Sequence, residues 1–120
     1  MGEICRAFLS GNLTKDAEIR QTADGFTVVR FSVAVNKRKK KGGEWANVPN
    51  YFDCVIFGNY GAAISESLTK GAKVILECEP DYSVWEKNGE KRSKVEFIVS
   101  TVVMPKREPQ PDLYAEELPF

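Results

Sequence analysis

Apolar and polar positions alternate over residues 26–35, with Val29, Phe31, Val33 and Val35 on one side and Arg30 and Ser32 on the other. Strand side chains point to opposite faces in turn, so this pattern predicts a half-buried strand from Phe26 to Val35. The same period returns from Tyr51 to Phe57. There Phe52, Cys54 and Ile56 share one face, and Tyr51, Asp53, Val55 and Phe57 share the other. Ile4 to Leu9 and Lys73 to Cys78 are compact apolar runs that predict further strands. Tyr82 to Lys87 and Lys91 to Val103 flank Asn88-Gly89, a dipeptide suited to a two-residue hairpin turn. Gly11-Asn12 and Asp24-Gly25 read as turns, and Pro80 reads as a break in register between Glu79 and Asp81. Ala62 to Thr69 is the helix candidate: Ile64 and Leu68 lie one turn apart, and Gly71 supplies a stop. Residues 36–50 lose the period. Their basic run, Lys37-Arg38-Lys39-Lys40-Lys41, ends in Gly42-Gly43 and predicts a loop or hairpin tip.

Five strands with one short helix between the third and fourth predict a mainly all-β chain in the order of a five-stranded OB-fold Greek-key barrel, which by pattern alone is one option among small barrels. The barrel is expected over residues 1–104. Pro105, Pro109 and Pro111 mark a short linker over 105–111, and residues 112–120 form an acidic tip.

Composition narrows the classes. Cys5, Cys54 and Cys78 are far apart in sequence and sit in apolar runs, and there is no histidine. They read as small core residues in a reducing compartment, with no metal site and no cofactor expected. No run approaches the roughly 20 apolar residues that span a bilayer, and the first residues lack the order of a signal peptide, so a cytoplasmic protein without membrane contact is expected. A nuclease-like acidic site at Glu77, Glu79 and Asp81 lacks a general base, so no enzyme is expected. The formal net charge of zero conceals a split. Residues 1–107 hold all 17 Lys and Arg against 13 Asp and Glu, whereas 108–120 hold Glu108, Asp112, Glu116 and Glu117 with no basic residue. A basic body with an acidic tail suits a nucleic-acid protein.

The candidate chemistry is stacking with charge neutralisation. Trp85 shares a strand face with Ser83 and Lys87, a setting in which an indole is hard to bury. Tyr51 and Phe57 lie on one face about 20 Å apart at the usual strand rise, room for several splayed nucleotides. Base–aromatic stacking contributes about 1–3 kcal/mol per base and tolerates any sequence, because every base has a π-face. Trp45 follows the basic run, which interleaves rings with cations. Lys37, Arg38, Lys39, Lys40 and Lys41 are the main phosphate candidates, with Arg6, Lys70, Lys87 and Arg92 beside them. The final residues combine Asp112, Glu116 and Glu117 with Leu118, Pro119 and Phe120. A terminal ring beside a free carboxylate is either a docking peptide or an end without a partner.

Several motifs carry a resemblance. Gly11-Asn12-Leu13-Thr14-Lys15-Asp16-Ala17-Glu18-Ile19-Arg20, Tyr51-Phe52-Asp53-Cys54-Val55-Ile56-Phe57-Gly58, Ser67-Leu68-Thr69-Lys70-Gly71 with Val74, the Trp85 hairpin and the closing Glu117-Leu118-Pro119-Phe120 stand in the order of one family. The chain resembles the bacterial and phage-type single-stranded DNA-binding proteins. The resemblance implies sequence-independent binding and protection of single-stranded DNA in replication, recombination and repair. It also implies a homotetramer, Tyr51, Phe57 and Trp85 as stacking rings, and a C-terminal tip that docks replication and repair proteins. The alternative is an OB-fold adaptor for RNA or proteins. Two departures stand out: the basic run around Lys39 replaces a loop aromatic, and Glu79-Pro80-Asp81 replaces Gly and basic residues.

Overall fold

The computed structural model describes residues 2–105. Strands are β1 (Ala7–Leu13), β2 (Glu18–Gln21), β3 (Thr27–Lys41), β4 (Glu44–Phe57), β5 (Lys73–Lys87) and β6 (Glu90–Val103). A short helix α1 (Asn59–Ile64), continued by a 3-10 turn over Ser65–Ser67, joins β4 to β5. The sheet order is β1-β5-β6-β4-β3-β2, and a further β1–β3 pairing at Asn12↔Ala34 and Leu13↔Val33 closes five strands into a ring. β2 lies outside that ring, on the edge of β3. The expected five-stranded OB barrel with its helix between the third and fourth ring strands is therefore present.

Alternation builds the core. Val29, Phe31 and Val33 from β3, Cys54 and Ile56 from β4, Val74, Leu76 and Cys78 from β5, Leu13 from β1 and Val99 from β6 are buried together. Leu68, just after the 3-10 turn, joins the same cluster, and Ile64 packs against it. Both side chains of the predicted helix thus face the core, although the helix starts at Asn59 rather than Ala62. Gly58, at φ 87°, ends β4 at Phe57, as expected. Gly61 lets the helix come down on the sheet, since an added Cβ would lie 3.0 Å from side-chain atoms of both Ile56 and Val29.

Three other boundaries differ from expectation. Gly11-Asn12 is not a turn but the interior of β1, which starts at Ala7 rather than Ile4. The reason is crowding at the closure: a Cβ on Gly11 would sit 2.3 Å from the Ala34 carbonyl oxygen, so the position needs a glycine in an extended strand. Pro80 does not break the register. β5 runs through it, opposite Phe97, and the single irregularity lies between Glu77 and Cys78. β1 pairs with β5 only as far as Cys78, so no ladder bond is lost where Pro80 lacks an N–H to donate, and the Pro80 carbonyl accepts from Cys5 Sγ at 3.5 Å. Of the two readings for the basic run, the hairpin holds, and its strands extend through residues 36–50. β3 and β4 stay paired from Val28↔Phe57 to Lys41↔Glu44, and Gly42-Gly43 turns the chain with φ of 58° and 86°. Asn88-Gly89 does the same for β5 and β6, with φ of 54° and 81°. Positive φ at both central residues matches the twist of the flanking strands.

Beyond the barrel the two hairpins continue as arms, 36–49 and 81–96. β4 and β6 pair with each other only at Cys54↔Phe97 and Val55↔Ile98, before the arms part.

Candidate nucleic-acid interface

The outer face of β3, β4, β6 and β5 carries the side chains that alternate with the core. On β4 these are Trp45, Asn47, Pro49, Tyr51, Asp53, Val55 and Phe57, in unbroken register with β3. Tyr51 is 65% exposed and Phe57 45%. Phe57 does not stand alone. The ring of Phe26 stacks against it, with centroids 6.3 Å apart and planes 27° from parallel, and is itself half exposed. Phe26 opens the strand predicted from alternation, but nothing local in the sequence marks it as a partner for Phe57.

Val55, expected on the open face, is fully buried. Its backbone partners are Arg30 on β3 and Ile98 on β6, so it lies in the middle of the sheet. Arg30 pairs with Glu96 on β6, and that ion pair spans β4 beside Val55. Lys94 extends the line, 3.5 Å from Asp53 and 3.7 Å from Glu96. Two cations and two carboxylates thus form a belt across the face. Tyr51 lies on one side of it and the Phe57–Phe26 pair on the other. Lys15, Glu18 and Ser32 complete the shallow depression that the belt lines. Neither Arg30 nor Lys94 stood out in the sequence, because the strand partners that give them meaning are distant along the chain.

Trp85 lies on the outer side of the β5–β6 arm, opposite Arg92 and 42% exposed, with Ser83 and Lys87 on the same side as expected. Arg92 is held 3.4 Å from Glu90. Trp45 lies on the β3–β4 arm, and the Arg38 guanidinium sits 5.9 Å from its ring centre, a cation–π geometry. Alternation divides the basic run. Arg38 and Lys40 share the face of Trp45 and Tyr51, and Lys37, Lys39 and Lys41 point to the other side.

The remaining candidates are dispersed. Arg6 is 3.0 Å from Glu79 and 4.0 Å from Glu77, so its charge is balanced on the outer side of β5. Glu77, Glu79 and Asp81 share that side, since Pro80 keeps the alternation. Lys70 belongs to the opposite end of the barrel. Its backbone N–H donates to Asp16 Oδ1 at 2.8 Å, and Gly71 N–H donates to the Leu13 carbonyl at 2.9 Å, stitching the turn before β5 to the end of β1. Lys70 stands in the turn before β5, at the far end of that strand from Trp85. Asp112, Glu116, Glu117, Leu118, Pro119 and Phe120 lie outside the described residues.

Cys54 and Cys78 are buried, and Cys5 is exposed. Burial, the neighbouring Cys78 and then Asp53 push the Cys54 thiol up to about 12. Burial and then Glu77 raise that of Cys78. Both behave as small apolar core groups. Among the described residues, no group of three or more His, Cys, Asp or Glu could hold a metal ion. No helix there is long and apolar enough to cross a membrane.

A closed OB barrel with paired arms and exposed rings on its sheet face defines a class of small binding modules. The chain belongs to the single-strand binding protein family, whose model matches residues 4–105. It is 43% identical over 102 residues to a single-stranded DNA-binding protein of Treponema pallidum (strain Nichols), covering 85% of this chain and 58% of that protein's length. It is 42% identical over 106 residues to one of Borreliella burgdorferi, covering 87% of this chain and 71% of that one. Among solved structures, a deletion mutant of the single-stranded DNA binding protein from Thermus aquaticus is similar, with a TM-score of 0.77 at 26% identity over 86% of this chain and 51% of that one. A Plasmodium falciparum SSB complex with ssDNA shares the fold, with a TM-score of 0.80 at 20% identity over 88% of this chain and 98% of that one.

Proposed function

We propose that the protein binds and protects single-stranded DNA without sequence specificity, across the outer face of β3, β4, β6 and β5. The observation that carries this reading is the set of exposed rings on one continuous sheet face: Tyr51, and Phe57 backed by Phe26, with Trp85 and Trp45 on the arms. Rings stack on bases whatever their identity, while Arg38, Lys40, Lys87 and Arg92 meet phosphates. Lys37, Lys39 and Lys41 act through the field of the arm, and Arg6 and Lys70 have no direct part. The relatives named above, proteins called single-stranded DNA-binding, support the same ligand.

The finer reading places the protein in replication, recombination and repair, in the bacterial cytoplasm with the nucleoid. Residues 1–104 bind DNA, 105–111 link, and 112–120 dock partner enzymes through Asp112, Glu116, Glu117, Leu118, Pro119 and Phe120. Self-association to a tetramer is supported by the backbone edge of β1 from Ala7 to Gly11, which no strand among the described residues pairs with, and by the exposed apolar side chains of Phe8, Ile75 and Val103 beside it.

Titration of intrinsic tryptophan fluorescence with oligo-dT at several salt concentrations tests the reading. Quenching with an affinity that falls as salt rises is expected. Absence of binding, or RNA of equal length binding as well or better, would overturn it in favour of an adaptor for RNA or proteins.

A further inference from the structure

The charged belt is an odd feature for a surface that meets phosphates. Asp53 lies two residues from Tyr51 on the same face, about 7 Å away along the strand. Its side chain is 56% exposed, against 21% for Glu96. Glu96 already takes both Arg30 and Lys94. Asp53 is therefore the open end of the belt, touched by one lysine. An exposed ion pair adds little to stability, so folding alone does not explain a carboxylate here. Toward phosphate its charge is repulsive.

Base edges are a different matter. The Watson–Crick edge of every base carries a donor beside an acceptor: N4 and N3 in cytosine, N6 and N1 in adenine, N3 and O4 in thymine, N1 and O6 in guanine. A carboxylate 3.5 Å from an ammonium presents the complementary acceptor and donor. A base stacked on Tyr51 projects its edge along the strand by half its width, and one hydrogen bond covers most of the remaining distance to Asp53.

We propose that Asp53 and Lys94 together form a hydrogen-bonding pair for the edges of bases stacked at Tyr51, a reader that accepts all four bases and separates a base-bearing strand from a bare phosphate chain. This rests on the single-stranded DNA reading above. It adds to stacking a polar contact that is equally tolerant of sequence, because donor and acceptor are adjacent whichever base arrives.

The test compares the affinity of the full chain for oligo-dT, oligo-dC and oligo-dA with that for an abasic strand of equal length. Asp53→Ala is expected to weaken binding to all three base-bearing strands alike, by about fivefold to tenfold, the scale of losing one hydrogen bond in a solvent-exposed setting. It should tighten binding to the abasic strand, since a negative charge is gone. Lys94→Met should weaken both, the base-bearing strands more. In either variant the ratio of base-bearing to abasic affinity falls. A ratio unchanged in both variants, Asp53→Ala binding every strand more tightly, or a loss confined to one base would overturn the proposal. If the wild-type chain binds none of the strands, the single-stranded DNA reading itself fails. If it binds them and the ratio is unmoved, only the reader falls. Melting curves of both variants check folding, and Lys94→Met carries the test if Asp53→Ala does not fold.

Discussion

Gly11→Ala probes the point where the barrel closes. The added methyl carbon would stand 2.3 Å from the Ala34 carbonyl oxygen, 3.1 Å from its carbonyl carbon and 3.2 Å from Val35 Cγ2. Real Cβ atoms essentially never come within 3.0 Å, so the strands must separate by about 0.7 Å at this point. The obstacle is backbone rather than a flexible side chain. It belongs to the residue that pairs with Asn12, one of the two pairs that join β1 to β3. Overpacking usually costs about 1–3 kcal/mol, and a backbone obstacle puts this case at the upper end. Alanine regains about 0.5–1 kcal/mol because glycine loses more freedom on folding. The net is about 2 kcal/mol, which for a domain of this size lowers Tm by roughly 10 °C. The assay is thermal unfolding by circular dichroism at fixed protomer concentration, because association shifts Tm by mass action. Gly2→Ala is the control, since a Cβ there meets nothing within 4 Å. Gly11→Ala melting within about 2 °C of that control, well under the shift expected for a domain of this size, would refute the geometry of closure.

Trp85→Ala should weaken oligo-dT binding by about 1–3 kcal/mol with an unchanged melting curve, measured by anisotropy of a labelled strand; a large loss of Tm would mean the indole is structural. Arg38→Ala with Lys40→Ala should flatten the dependence of log affinity on log salt by about 0.7 for each phosphate that is no longer neutralised. Lys37→Ala with Lys39→Ala, on the opposite side of the same arm, should flatten it less, and equal effects would count against the alternation. Cys54, raised from 9.0 to about 12, keeps its proton in the folded state while the unfolded thiol ionises. Its contribution is complete below pH 9 and lost as pH climbs toward 12, on the order of 1 kcal/mol per pH unit. Urea denaturation from about pH 8 to about pH 10.5, a window that brackets the onset of thiol ionisation in the unfolded chain, reads that slope against Cys54→Ala, and parallel curves would contradict it. A thiol reagent should modify Cys5 at once and Cys54 and Cys78 only on unfolding.

The barrel was legible because its signal is local. Alternation at Val29 to Val35, the Asn88-Gly89 turn and the Ile64–Leu68 spacing each specify an element from a few neighbours. What was misread depended on distant partners. Gly11 looks like a turn residue until Ala34 is brought against it. Pro80 looks like a breaker until the β1 ladder is seen to end before it, at Cys78. The basic run loses hydrophobic period because neither face of the β3–β4 arm covers a core, yet the backbone ladder continues to its end. The candidate site divides the same way. Tyr51, Phe57 and Trp85 declare themselves as rings on polar faces. Phe26, Arg30 and Lys94 acquire a role only through Phe57, Glu96 and Asp53, which the fold brings beside them. Val55 was placed on the open face by period alone, and the Arg30–Glu96 pair explains its burial.

The arrangement separates attraction from grip. Near the barrel the outer face holds no excess of cations, since Arg30 and Lys94 meet Glu96 and Asp53 and Arg6 meets Glu77 and Glu79, so it exerts little long-range pull on phosphate. The uncompensated charge lies on the β3–β4 arm. Surface fields fade over roughly 8 Å at physiological salt, so charges on a projecting arm meet an approaching strand before the barrel does. A two-stranded ribbon without a core is marginal by itself and opens at low free-energy cost. Under the proposed single-stranded DNA reading, rings carried on it, such as Trp45, gain stacking energy offset by the entropy of ordering the arm. Tyr51 and Phe57 stand on β4 where Cys54 and Ile56 fix the strand into the core, so their stacking is offset least. On that reading, the arm governs capture and its salt dependence, and the barrel rings govern how long the strand stays bound.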